Sequence, residues 1–382
     1  MSPEMVASSN RLEAMIDQLI EQPRYALDTE FHREKTYFPK LALMQIAWPG
    51  HLVLIDPLSV DVAPLGRLMT SESLCVMHAA VQDIEVLCHV TGQHPMRIFD
   101  TQIAAGFMGL SAPSLATLHE RLLGVNLAKG DRMTDWLERP LRQSQLDYAA
   151  ADVARLLEIT DLILAEIDSL GRRTWAEDES ALLLAKGCAL REPLDAWQRV
   201  KDLRRLNGPA LATAQAIAAW REERAAKIDV PVRRVMSDIA IASLAQLRPQ
   251  TEAEMSRARG FDPRSLKASV RTQLCELIVA AQNSDPREKP EPAPKLDELR
   301  PAAGLLAAWL SQRARELSLD PALLGTRSDI ERLLAGQESS RLAHGWRHDL
   351  VGEPIETLVS GKAAIAFDGG ALSLEKRSFE SI

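Results

Sequence analysis

Asp28-Thr-Glu30, within Tyr25-Ala-Leu-Asp-Thr-Glu-Phe31, sets two carboxylates one residue apart in a stretch that reads as a buried β-strand. Side chains alternate faces along a strand, so residues 28 and 30 point the same way, about 6–7 Å apart at Cα. Two anions held together away from water need a cation to neutralise them. Carboxylate oxygens suit a hard ion such as Mg2+ or Mn2+. The Asp-x-Glu spacing alone is weak, because Asp83-Ile-Glu85 and Asp329-Ile-Glu331 repeat it. Other groups of the right kind follow in the chain. Asp83 opens a predicted helix. Gln145-Leu-Asp-Tyr148-Ala-Ala-Ala-Asp152-Val is strongly helical, and Tyr148 and Asp152 at i and i+4 share one face.

The elements that must position these groups begin with an amphipathic helix over 10–22. Strands are expected at 24–31, 40–48 and 51–56, with Trp48-Pro-Gly-His51 as a hairpin turn between the last two. A fourth strand at 73–79 leads into a helix over 81–90 closed by Gly92, and 97–101 is a short fifth strand. From there to about 190 the pattern is helical, interrupted at Gly124-Val-Asn. This order implies a mixed sheet flanked by helices. After about residue 192 no strand pattern is read. The expected organisation is an α/β domain over 1–190, a helical domain over 191–282, a Pro-rich linker over 283–296, a second helical domain over 297–372 and a tail over 373–382.

A chain of 382 residues is long enough for two to four domains of roughly 100–200 residues. No apolar run approaches the ~20 residues of a membrane span, and Met-Ser-Pro-Glu-Met at the start lacks a signal-peptide pattern. The four cysteines (Cys75, Cys88, Cys188, Cys275) are sparse and irregular, as expected of reduced thiols in a cytoplasm. Cys75, His78, Cys88 and His89 do not read as a zinc site. Cys75 and His78 sit three apart in a strand-like run and so face opposite sides. Net charge is −8, yet residues 191–235 hold ten Lys/Arg against six Asp/Glu. Such a stretch is either a solvated helix face or a contact for an anionic partner.

Taken in order, Asp28-Thr-Glu30, Asp83 and Tyr148-x3-Asp152 resemble the DEDD superfamily of 3′→5′ exonucleases, in its tyrosine branch. Asp147 stands where the histidine branch would carry His. Asp28-Thr-Glu-Phe-His-Arg-Glu-Lys-Thr-Tyr37, Leu43-Met-Gln-Ile-Ala47 and Thr134-Asp-Trp-Leu-Glu-Arg-Pro-Leu141 are similar to the bacterial ribonuclease D family. The two helical blocks resemble that family's HRDC domains, the second more distantly. The resemblance implies a ribonuclease H-like nuclease domain followed by two all-α HRDC-like domains.

It also implies the chemistry. Two divalent ions (Mg2+ or Mn2+) would serve the two ends of a phosphodiester hydrolysis. Asp28 would bridge both, Glu30 and Asp152 would bind the nucleophile-side ion, and Asp83 would support the leaving-group side. Tyr148 would orient the attacking water. Phe31, Gln45, Trp136 and Arg139 are candidate contacts to the terminal nucleotide. The expected partner is RNA with a single-stranded 3′ end, tRNA precursors above all, and no obligatory protein partner is implied. A DNA 3′→5′ exonuclease would present the same acids, and a non-catalytic RNA-binding scaffold is the remaining alternative.

Overall fold

The computed structural model describes residues 3–127, 134–187, 192–289 and 299–377. A six-stranded sheet organises the N-terminal part, in the order β1-β4-β3-β2-β5-β6. Its strands are β1 (Glu4–Val6), β2 (Arg24–His32), β3 (Lys40–Trp48), β4 (His51–Ile55), β5 (Leu74–Met77) and β6 (Ile98–Asp100). β3 and β4 form the expected antiparallel hairpin, turning at Gly50 with a φ of 81° that favours glycine. β2 pairs in parallel with β5, and β5 in parallel with β6. β1 is the unanticipated strand; it pairs in parallel with β4, and three residues are too few to show an alternation.

Parallel pairing has a consequence for chemistry. The C-terminal ends of β2, β5 and β6 must lie along one edge of the sheet. Asp28 and Glu30 near the end of β2, the helix that follows β5, and Asp100 at the end of β6 therefore gather on that edge. In open α/β sheets this is where functional groups collect.

Eight helices flank the sheet among the described residues. They are α1 (Ser9–Ile20), α2 (Gly66–Met69), α3 (Val81–Thr91), α4 (Thr101–Gly106), α5 (Leu115–Leu123), α6 (Gln143–Ala154), α7 (Leu156–Ser169) and α8 (Arg173–Gly187). α1 buries Leu12, Met15, Ile16 and Leu19, the i, i+3, i+4, i+7 stripe of an amphipathic helix. Each such residue contributes about 1.5–3 kcal/mol on full burial. α3 stops at Gly92, whose left-handed backbone (φ 69°) closes the last turn.

The chain forms two compact units. One comprises Met1–Glu30, Leu43–Gly187 and Pro292–Ile382; the other comprises Phe31–Ala42 and Cys188–Glu291. The second unit is built on α9 (Gly208–Lys227), with α10 (Val232–Val235), α11 (Asp238–Leu247), α12 (Glu252–Met255) and α13 (Ala268–Ala281). Its core holds Trp197, Leu203, Ile217, Leu244, Met255 and Ile278.

The C-terminal helical block belongs to the first unit. α14 (Arg300–Glu316) leads into shorter helices that end at Val359. Trp346 from this block stacks on Trp175 of α8 with centroids 5.0 Å apart. Next to it the Arg347 guanidinium lies 4.3 Å over the Trp346 ring and binds Glu179 at 2.5 Å. Arg172, with its charge buried, donates to the carbonyls of Phe107 and Ser318 at 2.7 and 3.1 Å.

Two sequence expectations change here. The second helical block is not helical to residue 372. β7 (Ala363–Asp368) and β8 (Ala371–Lys376) pair as an antiparallel hairpin through Gly369 and Gly370, so the supposed tail begins inside a strand. Residues 290–298 and 378–382 lie outside the described residues, and with them most of the expected linker and the chain end. No helix among the described residues is long and apolar enough to cross a membrane.

Candidate active site

The strand alternation of β2 does what the sequence requires. Asp28, Glu30 and Asp152 each offer a carboxylate oxygen, and these atoms lie within 4.8 Å of one another. It is the one such cluster of potential metal ligands among the described residues. Asp83, in the first turn of α3, is buried and stands beside this group without joining it. It instead accepts a hydrogen bond from the Thr29 hydroxyl, on the residue between the two β2 acids. Thr29 thus holds the fourth carboxylate against the strand that bears the first two.

The electrostatics follow from four anions at one edge. Burial, then the negative charges of Asp83, Asp152 and Glu30, pushes the Asp28 carboxyl well above the usual carboxylate range. Burial likewise lifts Asp83 to about 6, against the opposing pull of the Thr29 hydroxyl. The donors of this cluster are all hard carboxylate oxygens. A divalent cation of the Mg2+ or Mn2+ kind fits that donor set.

Asp152 and Tyr148 reach the edge because α6 is anchored at its start. The Gln145 side chain accepts from the Arg142 N–H at 3.0 Å and donates to the Thr134 hydroxyl at 3.0 Å, so the 134–141 segment is tied to the helix. Trp136 from that segment packs against Tyr148, with ring centroids 6.0 Å apart and planes tilted by 40°.

The four candidate nucleotide contacts divide. Arg139 is bound through Nη2 and Nε to Asp56 at 2.7 and 3.0 Å, and through Nη1 to the carbonyls of Trp136 and Glu138. Burial alone would raise the Asp56 carboxyl, but Arg139, Leu58 N–H and the Ser59 hydroxyl hold it below its ordinary value. Arg139 therefore pins the segment to the end of β4. Gln45, on β3, is fully buried, and its amide atoms have no hydrogen-bond partner among the described residues. Trp136 is also buried, while Phe31 is half-buried where β2 leaves the sheet.

Residues 3–168 match the 3′-5′ exonuclease family, and residues 210–278 match the HRDC domain. Ribonuclease D of Acidiphilium cryptum is 35% identical over 376 residues, covering 96% of this chain and 95% of that protein. Ribonuclease D of Zymomonas mobilis is 33% identical over 380 residues, covering 97% of each. The chain belongs to the ribonuclease D family. The crystal structure of Escherichia coli RNase D, described as an exoribonuclease involved in structured RNA processing, superposes with a TM-score of 0.83 at 30% identity. That match spans 94% of this chain and 99% of the other. The protein is a 3′→5′ exoribonuclease of a metal-dependent family, with a nuclease fold and an HRDC domain.

Asp100, which the sequence leaves as a structural residue near this sheet edge, supports the site. It is fully buried at the end of β6. Its Oδ1 accepts the N–H groups of Ala79, Gln102 and Ile103, and its Oδ2 that of Ala80. It caps α4 and also holds the turn that launches α3, and so fixes where Asp83 sits. An Asp just before a helix is a legible capping signal; its second task, across 20 residues, is not. Asp329 of the decoy Asp329-Ile-Glu331 resolves as an ordinary capping residue, bonded to Thr326 and paired with Arg341 at 2.9 Å.

The raised carboxyls set a pH dependence in the metal-free enzyme. A folded-state value of about 6 for Asp83 exceeds the unfolded value of 3.8, so the folded state binds more protons between the two. Stability must then fall as pH rises through that window, by up to about 3 kcal/mol for this group. In EDTA-treated protein, Asp83→Asn is expected to gain stability over the natural chain from pH 4 to pH 7. Paired calorimetric scans measure it, and a difference that does not change with pH contradicts it.

Proposed function

We propose that this enzyme trims the 3′ ends of structured RNAs, tRNA precursors foremost, releasing nucleoside 5′-monophosphates with a pair of divalent ions. The observation behind this reading is the three-carboxylate cluster at one sheet edge, with Asp83 beside it and Tyr148 one helical turn from Asp152. Asp28, Glu30 and Asp152 would hold one ion, and Asp28 with Asp83 would serve the second. Bound divalent ions supply a water activated near neutral pH and charge stabilisation for the departing 3′-oxygen.

Tyr148 orients the attacking water. A phenol with an ordinary pKa near 10 is a weak base at neutral pH. Trp136 holds the Tyr148 ring from one side, and the Arg139–Asp56 pair holds Trp136 in its segment. Phe31 offers a face on which the terminal base can stack, and Arg139 braces the segment that carries Trp136. Tyr148→Phe is expected to lower kcat roughly 10- to 100-fold with KM little changed, the pattern of a group that acts in the transition state. Steady-state kinetics on a short RNA measures this, and an unchanged kcat contradicts the role.

RNA beyond the 3′ end meets the HRDC unit. Lys201, Arg205, Lys227, Arg233 and Arg234 are exposed there, with no ion pair among the described residues. They suit phosphates, whose contacts provide affinity without reading sequence. The ten cations of 191–235 do not form a single face, however. Arg221 is buried on Asp238 at 2.6 Å, Arg199 pairs with Glu222 at 2.9 Å, and Arg191 lies outside the described residues. The unbridged thiols of Cys75 and Cys275 agree with a cytoplasmic setting.

The substrate reading is tested with a tRNA bearing extra 3′ nucleotides, an unstructured RNA of equal length and a matched single-stranded DNA in competition. Trimming of the tRNA that halts near the acceptor stem supports it. Faster loss of the DNA would replace it with a DNA-repair role.

A further inference from the structure

We infer that Tyr37 is a positioning residue. Its contacts hold the connection that follows Glu30 within its own compact unit and steady Phe31, the face proposed for the terminal base. The inference rests on the exonuclease reading above.

Phe31–Ala42, which joins β2 to β3, falls with Cys188–Glu291 in the second compact unit. The Tyr37 hydroxyl donates to Glu222 Oε1 at 2.8 Å. Arg199 Nη2 binds the same oxygen at 2.9 Å, on a carboxylate side chain only 4% exposed. Just past the end of α9, Asp229 Oδ1 accepts the backbone N–H groups of Tyr37 and Phe38 at 3.0 and 3.1 Å. Two carboxylates seven residues apart thus grip the connection, Asp229 through two consecutive backbone N–H groups and Glu222 through the Tyr37 side chain. Glu222 is buried where an isolated anion would be costly, so its two partners are needed to keep it there.

β2 runs without interruption from Asp28 through His32, so whatever holds the connection also holds the strand exit that bears Phe31. Released, the connection must be ordered each time substrate binds. The apparent affinity then falls by the fraction of molecules already latched. A hydrogen bond to a charged group shifts such an equilibrium about tenfold.

The test uses the full chain as Tyr37→Phe, Glu222→Gln and the double variant. Each is assayed on a short RNA and by native-state trypsin cleavage after Arg33 and Lys35. The latch predicts KM raised about three- to tenfold with kcat retained, and cleavage accelerated about tenfold, with the double variant no worse than either single one. Unchanged cleavage and KM in Tyr37→Phe would overturn it. Additive effects in the double variant would also overturn it, by showing that the two residues act apart. A drop in melting temperature without a change in KM assigns Tyr37 to stability alone and overturns the positioning role. A natural chain with no nuclease activity refutes the exonuclease reading instead, a result distinct from any of these.

Discussion

Asp28→Asn is expected to lose at least about 1000-fold in kcat while the metal-free protein melts higher than the natural chain at pH 7.5. The two signs have one cause. Asp28 sits among Asp83, Asp152 and Glu30, whose charges and whose shared burial disfavour its ionised form. Asparagine keeps the shape and removes one of the repelling charges, so the empty cluster relaxes. A gain of about 1 kcal/mol would raise the midpoint by roughly 2–4 °C in a chain of this class. The same change replaces the charged carboxylate that Asp28 offers beside Glu30 and Asp152 with a neutral amide, a much weaker ligand for a divalent cation. Added Mn2+ should therefore stabilise the natural chain much more than the variant. Activity assays with and without metal, and melting curves in EDTA, measure both halves. A variant that is inactive because it is unfolded would show a lowered midpoint and contradict the account.

The second large effect lies away from the metal ligands. Asp100→Ala is expected to cost about 3 kcal/mol or more of stability, or roughly 10 °C in melting temperature, with activity falling in parallel. Four backbone N–H groups, on Ala79, Ala80, Gln102 and Ile103, lose their acceptor at once. Helix α4 loses its cap, and the turn that starts α3 loses the anchor that places Asp83. Asp100→Asn should be milder. Its remaining oxygen can still serve the three groups that Oδ1 accepts, while the amide faces only the Ala80 N–H. Thermal melts of the two variants decide it, and equal stability of alanine and natural protein would show that the network is not structural.

The placement of these candidate residues is legible in sequence because it is local. Asp28 and Glu30 share a face through strand alternation, and Tyr148 and Asp152 through helical spacing. Burial of the flanking Leu27 and Ala26 is written in an apolar run. What holds the local pieces together is not local. Thr29 to Asp83 spans 54 residues, Asp56 to Arg139 spans 83, and Tyr37 to Glu222 spans 185. No periodicity reports such pairs. The stacking of Trp346 on Trp175 is hidden for the same reason, and it puts the C-terminal helical block in one compact unit with the nuclease sheet.

The C-terminal hairpin is a different kind of omission. Ala363 to Asp368, two glycines, and Ala371 to Lys376 alternate across a two-residue turn whose glycines both take positive φ. That is a strong hairpin signal in itself. The preceding residues are helical and the strands contain alanine and lysine, weak strand formers, so the segment reads as part of the helical block. Gln145 teaches a similar lesson: its place at the third position of α6 is a capping signal, yet the reach to Thr134 appears only in three dimensions.

If the Asp28–Glu30–Asp152 cluster, with Asp83, carries the proposed metal-dependent hydrolysis, it removes nucleotides one at a time from RNA 3′ ends. The most direct measurement is a denaturing-gel time course on a 5′-labelled RNA with a single-stranded 3′ end. The natural chain and Asp28→Asn are run with Mg2+, with Mn2+ and with EDTA. The account predicts a ladder shortening by single nucleotides from the 3′ end, present with metal, absent in EDTA and absent in the folded variant. A ladder that persists in EDTA or in folded Asp28→Asn, or RNA left intact by the folded natural chain with metal supplied, would contradict it.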